Sequence, residues 1–324
     1  MAKKSGKTKR KVPKSTRSNK TLKAATTKKV SKASEEKPNN LASNKQLPSI
    51  LKIARSAAEI VWDNRRLFIG IIIVYALLNL ILVQGLSNST DIGSLKSELS
   101  KAFKGDFGSV LSGLSIFVVL VGSAGNGTSQ TAGIYQIILG LIMSLAIIWA
   151  LRQIIQGNKL GVRDAFYKGL YPLVPFILVL LFIGLELLPL LLGSLLLSVV
   201  TTNGIIIGTF EELVLIVIFL ALALLSLYLI SSSIFGLYIV TLPDMTPMKA
   251  LRSARELVGK RRWIVLRKIL GLPFLLLIVS VVIMLPIILW LSVLAQWLFF
   301  LLTMVALLAV HAYLYTLYRE LLND

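Results

Sequence analysis

The chain has 324 residues, 35 of them Lys or Arg against 15 Asp or Glu, with one histidine, no cysteine and a hydrophobic share of 56%. The lack of cysteine excludes disulfide frameworks, thiolate zinc sites and cysteine nucleophiles, and a single histidine excludes a multi-histidine metal centre. Charge is unevenly spread: residues 1–47 carry 15 basic and two acidic side chains, and the remaining 277 carry 20 and 13, so a basic tail precedes a body far more apolar than an ordinary soluble domain.

The tail, 1–47, is Lys, Ser, Thr and Ala with almost no large apolar side chain. Such a segment cannot bury enough surface to offset its conformational entropy, which predicts a disordered arm. It is not a signal peptide, because no short apolar stretch with a small-residue cleavage site follows it. Its charge suits anionic lipid or, without sequence preference, nucleic acid. It offers no aromatic side chain for base stacking, which argues against specific single-strand recognition.

The body, 48–324, reads as an all-α polytopic membrane bundle of six spans, since a crossing helix needs about 20 mostly apolar residues. Ile50, Ile53, Ala57, Ile60 and Val61 make an amphipathic stripe before the first span, with Ser49 as its cap and Arg55–Glu59 as an i,i+4 pair. The spans are 67–83, 134–154, 170–200, 213–240, 269–290 and 294–318. Between the first two lies a long loop, 85–132, whose segment 110–121 is apolar but too short to cross. That segment is read as re-entrant, interfacial or packed within the loop, and the glycine-rich 122–127 as flexible loop. A second amphipathic stripe, Val162, Ala165, Phe166 and Leu170, precedes the third span. A third, Met248, Leu251, Ala254, Leu257 and Val258, follows the cap-and-proline pair Thr246-Pro247 and ends at Gly259. Trp62 and Trp263 stand where interfacial aromatics belong.

Lys and Arg concentrate in short cytoplasmic loops. Six spans with the N-terminus inside put the tail, the basic segments 156–169 and 241–268 and the C-terminus on one side. The acidic loop of Glu211 and Glu212 then falls on the other. A seventh span at 110–121 would separate the basic loops from the basic tail. The expected location is the cell membrane with both termini cytoplasmic. Leu173-Val174-Pro175-Phe176 with Leu188-Pro189 also resembles Gly271-Leu272-Pro273-Phe274 with Leu285-Pro286. This likeness suggests an internal duplication and kinks in the third and fifth spans.

The run 239–277, IVTLPDMTPMKALRSARELVGKRRWIVLRKILGLPFLLL, resembles the signature segment of the membrane-domain superfamily associated with glycerophosphoryl diester phosphodiesterases. Ala250 to Trp263 follows its amphipathic basic helix, and 150–170, with Gly157 and Asp164-Ala165-Phe166, resembles its inner loop. The likeness extends over 48–318, with about 40 distinctive residues. It implies a six-helix membrane domain and not the phosphodiesterase reaction.

The chain has no HExxH, no G-x-S-x-G elbow, no phosphate-binding loop and no paired acidic motif in an inner loop, so no catalytic residue, cofactor or metal is expected. Ionisable and polar residues inside spans are candidates by default: Glu186, placed near the outer end of the third span, His311 and Gln296. Asn79 and Gln296 suit interhelical hydrogen bonds. The stronger candidate surface is the basic layer Lys249, Arg252, Arg255, Lys260, Arg261 and Arg262, suited to anionic lipid headgroups or an acidic protein partner. The leading expectation is a non-enzymatic membrane-organising or scaffold protein. The alternative is a small-solute or lipid transporter with a site between the third and fifth spans near Glu186.

Overall fold

A computed structural model of the chain describes residues 48–83, 92–103, 107–123, 129–202, 208–259 and 261–323. The tail, most of 122–127 and Lys260 lie outside the described residues. Among those described, the chain is helical without strands, and it is a polytopic membrane bundle. Five helices are long and apolar enough to cross a bilayer: Arg65–Val83, Gln130–Ile155, Phe210–Ile239, Arg262–Trp290 and Leu294–Leu322. In a bilayer every backbone polar group must be satisfied within the protein, and helices do this locally.

The first helix, α1 (Ile50–Asp63), begins as expected: Ser49 caps it through the Lys52 amide at 3.4 Å, and Arg55 pairs with Glu59 at 3.0 Å. Ile53 and Ala57 are buried, and α1 packs on the helices later numbered α12 and α13. After Asn64 the chain turns into α2 (Arg65–Leu78), which closes in a π-helical turn, Asn79–Val83. Asn79 is buried there, and neither its amide nitrogen nor its oxygen has a hydrogen-bond partner.

The loop between the first two spans contains two helices, α3 (Ile92–Phe103) and α4 (Phe107–Ser123). The apolar segment 110–121 is therefore the core of α4. Phe117 stacks obliquely on Phe299 at 5.6 Å, and Leu95, Phe117 and Leu120 pack with Met284, Ile288 and Ala295. The α3–α4 pair thus covers the turn between α12 (Arg262–Trp290) and α13 (Ser292–Leu322). This end of the bundle is called distal below.

The other end gathers three short helices: α1, α6 (Val162–Gly169) after α5 (Gln130–Ile155), and α11 (Pro247–Val258). Their burial follows the predicted stripes with one exception. In α11, Ala250, Leu251, Ala254 and Val258 are buried, whereas Met248 is 71% exposed. The sequence stripe included Met248 because a residue in the first turn cannot be told from core by spacing alone.

The third span differs most from expectation. Instead of one helix over 170–200, the chain forms α7 (Leu173–Glu186), bent 72° from α6, and then α8 (Leu188–Thr202). Pro189 has no N–H to donate to the Leu185 carbonyl one turn back, and the helix is interrupted at Leu187, between Glu186 and Leu188. α8 runs antiparallel to α9 (Thr209–Ser233), with Leu190 against Ser226 and Gly193 against Phe219 and Leu222. α7 packs with α5, α9, α11 and the single turn α10 (Gly236–Ile239). α12, by contrast, stays one helix through both Pro273 and Pro286. The two proline stretches do not fold alike.

Candidate functional site

Glu186 is the last residue of α7 and is buried. Its Oε1 accepts a hydrogen bond from Ser233 Oγ at 2.7 Å, at the end of α9, and one from Arg255 at 3.3 Å, on α11. The Arg255 guanidinium also lies 5.3 Å from the centre of the Phe182 ring, one turn back on α7. The other oxygen, Oε2, is buried with no hydrogen-bond partner. Glu186 therefore sits at the end that holds α11. The expectation of a place at the end away from α11 fails because α7 stops at Glu186, beside Arg255 of α11. Its partners come from α9 and α11, not from α12, so the pairing of the third with the fifth span around Glu186 is also corrected.

His311 is buried on α13 between two other helices. Its Nδ1 is 3.2 Å from the Tyr238 hydroxyl and its Nε2 is 2.9 Å from Ser144 Oγ. Tyr238 packs edge-on to the imidazole and in turn contacts Tyr315 and Tyr318, with Phe235 stacked on Tyr318. With both nitrogens occupied by hydroxyls, the imidazole acts as a cross-link among α5, α10 and α13. Gln296 lies 15 residues earlier on the same helix, about 22 Å away along its axis, near the distal turn. The three polar candidates do not form one site. Among the described residues no three of His, Asp and Glu come close enough together to hold a metal ion.

The basic layer separates into two roles. Lys249 and Arg252 are exposed on α11. Arg255 turns inward to Glu186, and Arg262 donates to the Tyr228 hydroxyl at 3.0 Å with its guanidinium over that ring. Arg261 is half-buried, and Lys260 lies outside the described residues. Arg255 and Arg262 thus fasten α11 and the start of α12 to α7 and α9.

Two structural cations had no signal in the local sequence. Arg152, in the last turn of α5, donates to the carbonyl of Thr241 at 2.7 Å, to that of Tyr238 at 3.2 Å and to the Thr241 hydroxyl. It closes the exposed carbonyl end of α10 as a cation should. Lys268, buried on α12, donates to the carbonyl of Pro48 just before α1. Each bond joins residues more than 80 positions apart, beyond the reach of spacing.

Three cavities open on this end of the molecule or beside it. One, of about 1020 Å³, lies between the end of α5 and the α6–α7 and α10–α11 joints, with Arg152, Lys168, Tyr171 and Asp244 in its wall. A second, of about 990 Å³, lies between the α1–α2 joint and the α5–α6 loop. A third, of about 380 Å³, runs beneath α1 against α12 and α13. Neither of the two larger ones has Glu186 in its wall.

Comparison with protein-family models, with curated proteins and with solved structures gives no match. The geometry defines a polytopic helical membrane protein with a basic end built from three short amphipathic helices.

Proposed function

We propose that this chain is a non-enzymatic integral membrane protein that organises the membrane surface at its basic end. It would bind anionic lipid headgroups or an acidic partner there. The supporting observation is the outward pair Lys249 and Arg252 on α11, exposed while their neighbours Arg255 and Arg262 are used to hold the helix down. Each base near an anionic surface contributes about 1 kcal/mol before screening. Basic segments favour the cytoplasmic side, so this end faces the cytoplasm of the cell membrane and both termini lie on that side. The tail, with its excess of Lys, adds further attraction to the same surface. The likeness of 239–277 and 150–170 to the phosphodiesterase-associated membrane superfamily supports the membrane domain and carries no role.

The test is lipid analysis of the full chain purified in mild detergent. The expected result is enrichment of acidic over zwitterionic lipid in the wild type, reduced in Lys249→Ala/Arg252→Ala. Equal lipid classes in both proteins would overturn the reading. A transporter is the second reading, favoured by one observation, the partnerless buried oxygen of Glu186. Glu186→Gln separates the two: unchanged growth phenotype and unchanged ligand retention would remove transport.

A further inference from the structure

Trp62 lines two cavities at once. On one side is the cavity of about 990 Å³ walled by Asp63, Asn64, Arg65, Arg66, Asn158 and Lys159, among others. On the other is the slot of about 380 Å³ beneath α1, walled almost wholly by apolar side chains. The first is polar, carries three bases against the single acid Asp63, and lies where the first span begins. The second descends from Ala54, Ala57 and Ala58 on α1 towards Val279 on α12 and Val305 on α13. Those two positions lie well inside their spans. A charged chamber at the membrane surface that adjoins an apolar slot leading inward has the outline of one kind of molecule.

We propose that the α1–α2 joint is a binding site for an anionic glycerophospholipid. Its phosphate sits among Arg65, Arg66 and Lys159, and an acyl chain lies in the slot under α1. The inference rests on the anionic-lipid reading above but moves the specific site away from α11. Charge complementarity selects the occupant. Among the described residues no salt bridge forms at Arg65, which lines the chamber with its guanidinium 5.6 Å from the centre of the Trp62 ring. Lys159 sits in the loop after α5, opposite the arginines across the same cavity. The first amides of α2 add a positive helix end on that side. Small side chains make the slot: where α1 carries Ala54, Ala57 and Ala58, larger residues would close it against Leu272 and Leu276. A neutral lipid would leave three bases uncompensated in the chamber. A soluble anion would leave the slot without use.

The experiment is native mass spectrometry of the micelle-solubilised full chain titrated with dioleoylphosphatidylglycerol or dioleoylphosphatidylcholine. The wild type retains one phosphatidylglycerol in preference to phosphatidylcholine. Arg65→Ala/Arg66→Ala/Lys159→Ala weakens that retention by roughly fivefold per base, about a hundredfold together, and Arg65→Lys/Arg66→Lys keeps most of it. Ala58→Phe, which fills the slot and leaves the chamber intact, also lowers retention, whereas Lys249→Ala/Arg252→Ala leaves this one lipid in place. Circular dichroism and elution volume show that each variant is folded. Undiminished retention in the triple variant overturns the proposal. Loss confined to Lys249→Ala/Arg252→Ala overturns it while leaving the broader lipid reading standing. Equal retention of the two lipids in the wild type overturns both. Displacement by millimolar inorganic phosphate, with Ala58→Phe unchanged, assigns the chamber to a soluble anion and also overturns it.

Discussion

Pro175 and Pro189 stand 14 residues apart in the third span, and Pro273 and Pro286 stand 13 apart in the fifth, each first proline followed by Phe. The first stretch breaks into α7 and α8, and the second remains a single helix, α12. The difference lies in what the neighbours offer. Around the break, Ser226 accepts from the Leu190 amide at 3.0 Å, while Ser233 and Arg255 donate to Glu186 at the end of α7. Ser226 thus receives a main-chain amide from the start of α8, and Ser233 and Arg255 hold the side chain that ends α7. Along α12 near Pro273, the Tyr313 hydroxyl donates to the Lys268 carbonyl at 3.0 Å. That carbonyl lies next to the one, on Ile269, that loses its usual donor to the proline ring. Proline sets where a membrane helix can give way, and the polar groups on adjoining helices decide whether it does.

If this account holds, removing the groups at the break costs more than removing those along α12. Arg255→Ala is the most damaging, about 2–3 kcal/mol in unfolding of the detergent-solubilised protein. Breaking a buried pair is costly, but Arg255 itself is half exposed and partly screened. Arg255→Ala/Glu186→Leu recovers most of that loss, because no unpaired carboxylate is left. A double variant as unstable as the single one would show that the pair does not hold the break. Ser226→Ala follows at about 1–2 kcal/mol, the cost of leaving the Leu190 amide without an acceptor, and amide exchange at Leu190 should quicken with it. Tyr313→Phe costs about 0.6 kcal/mol, typical of one interhelical hydrogen bond in a membrane. Pro286→Ala, at an exposed position of α12, stays within about 0.5 kcal/mol by the same thermal measurement. If the last two cost more than the first two, the comparison is reversed.

The parts of this fold legible in the sequence are those written in neighbouring residues. The Ser49 cap, the Arg55–Glu59 pair, Pro247 opening α11 and Gly259 closing it all need only a few adjacent positions. Five of the spans were legible for the same reason, as uninterrupted apolar runs, within about four residues at their ends except the fifth, whose helix begins at Arg262 and not near 269. The α7–α8 break was not, because both halves are apolar on every side, with no periodic face to mark where one helix ends and the next begins. The basic layer was found as a group, but its division was hidden. Nothing near Arg255 distinguishes it from Arg252; what does is Glu186, 69 residues earlier. The basic segment 156–169 was visible as a whole, yet only the folded chain brings its Lys159 opposite Arg65 and Arg66 at the α1–α2 joint.

The bond from Lys268 to the Pro48 carbonyl has a mechanical consequence. Next to it, Gly271 lets Ile50 approach so closely that an added methyl group would have to displace it. A load applied at Pro48 is therefore delivered first to the opening turns of α12 rather than to α2. The rivet sits one turn from the roof of the slot under α1. A pull at Pro48 would therefore act on α1 as on a lever close to its hinge, where a small displacement becomes a larger one at the far end, Trp62.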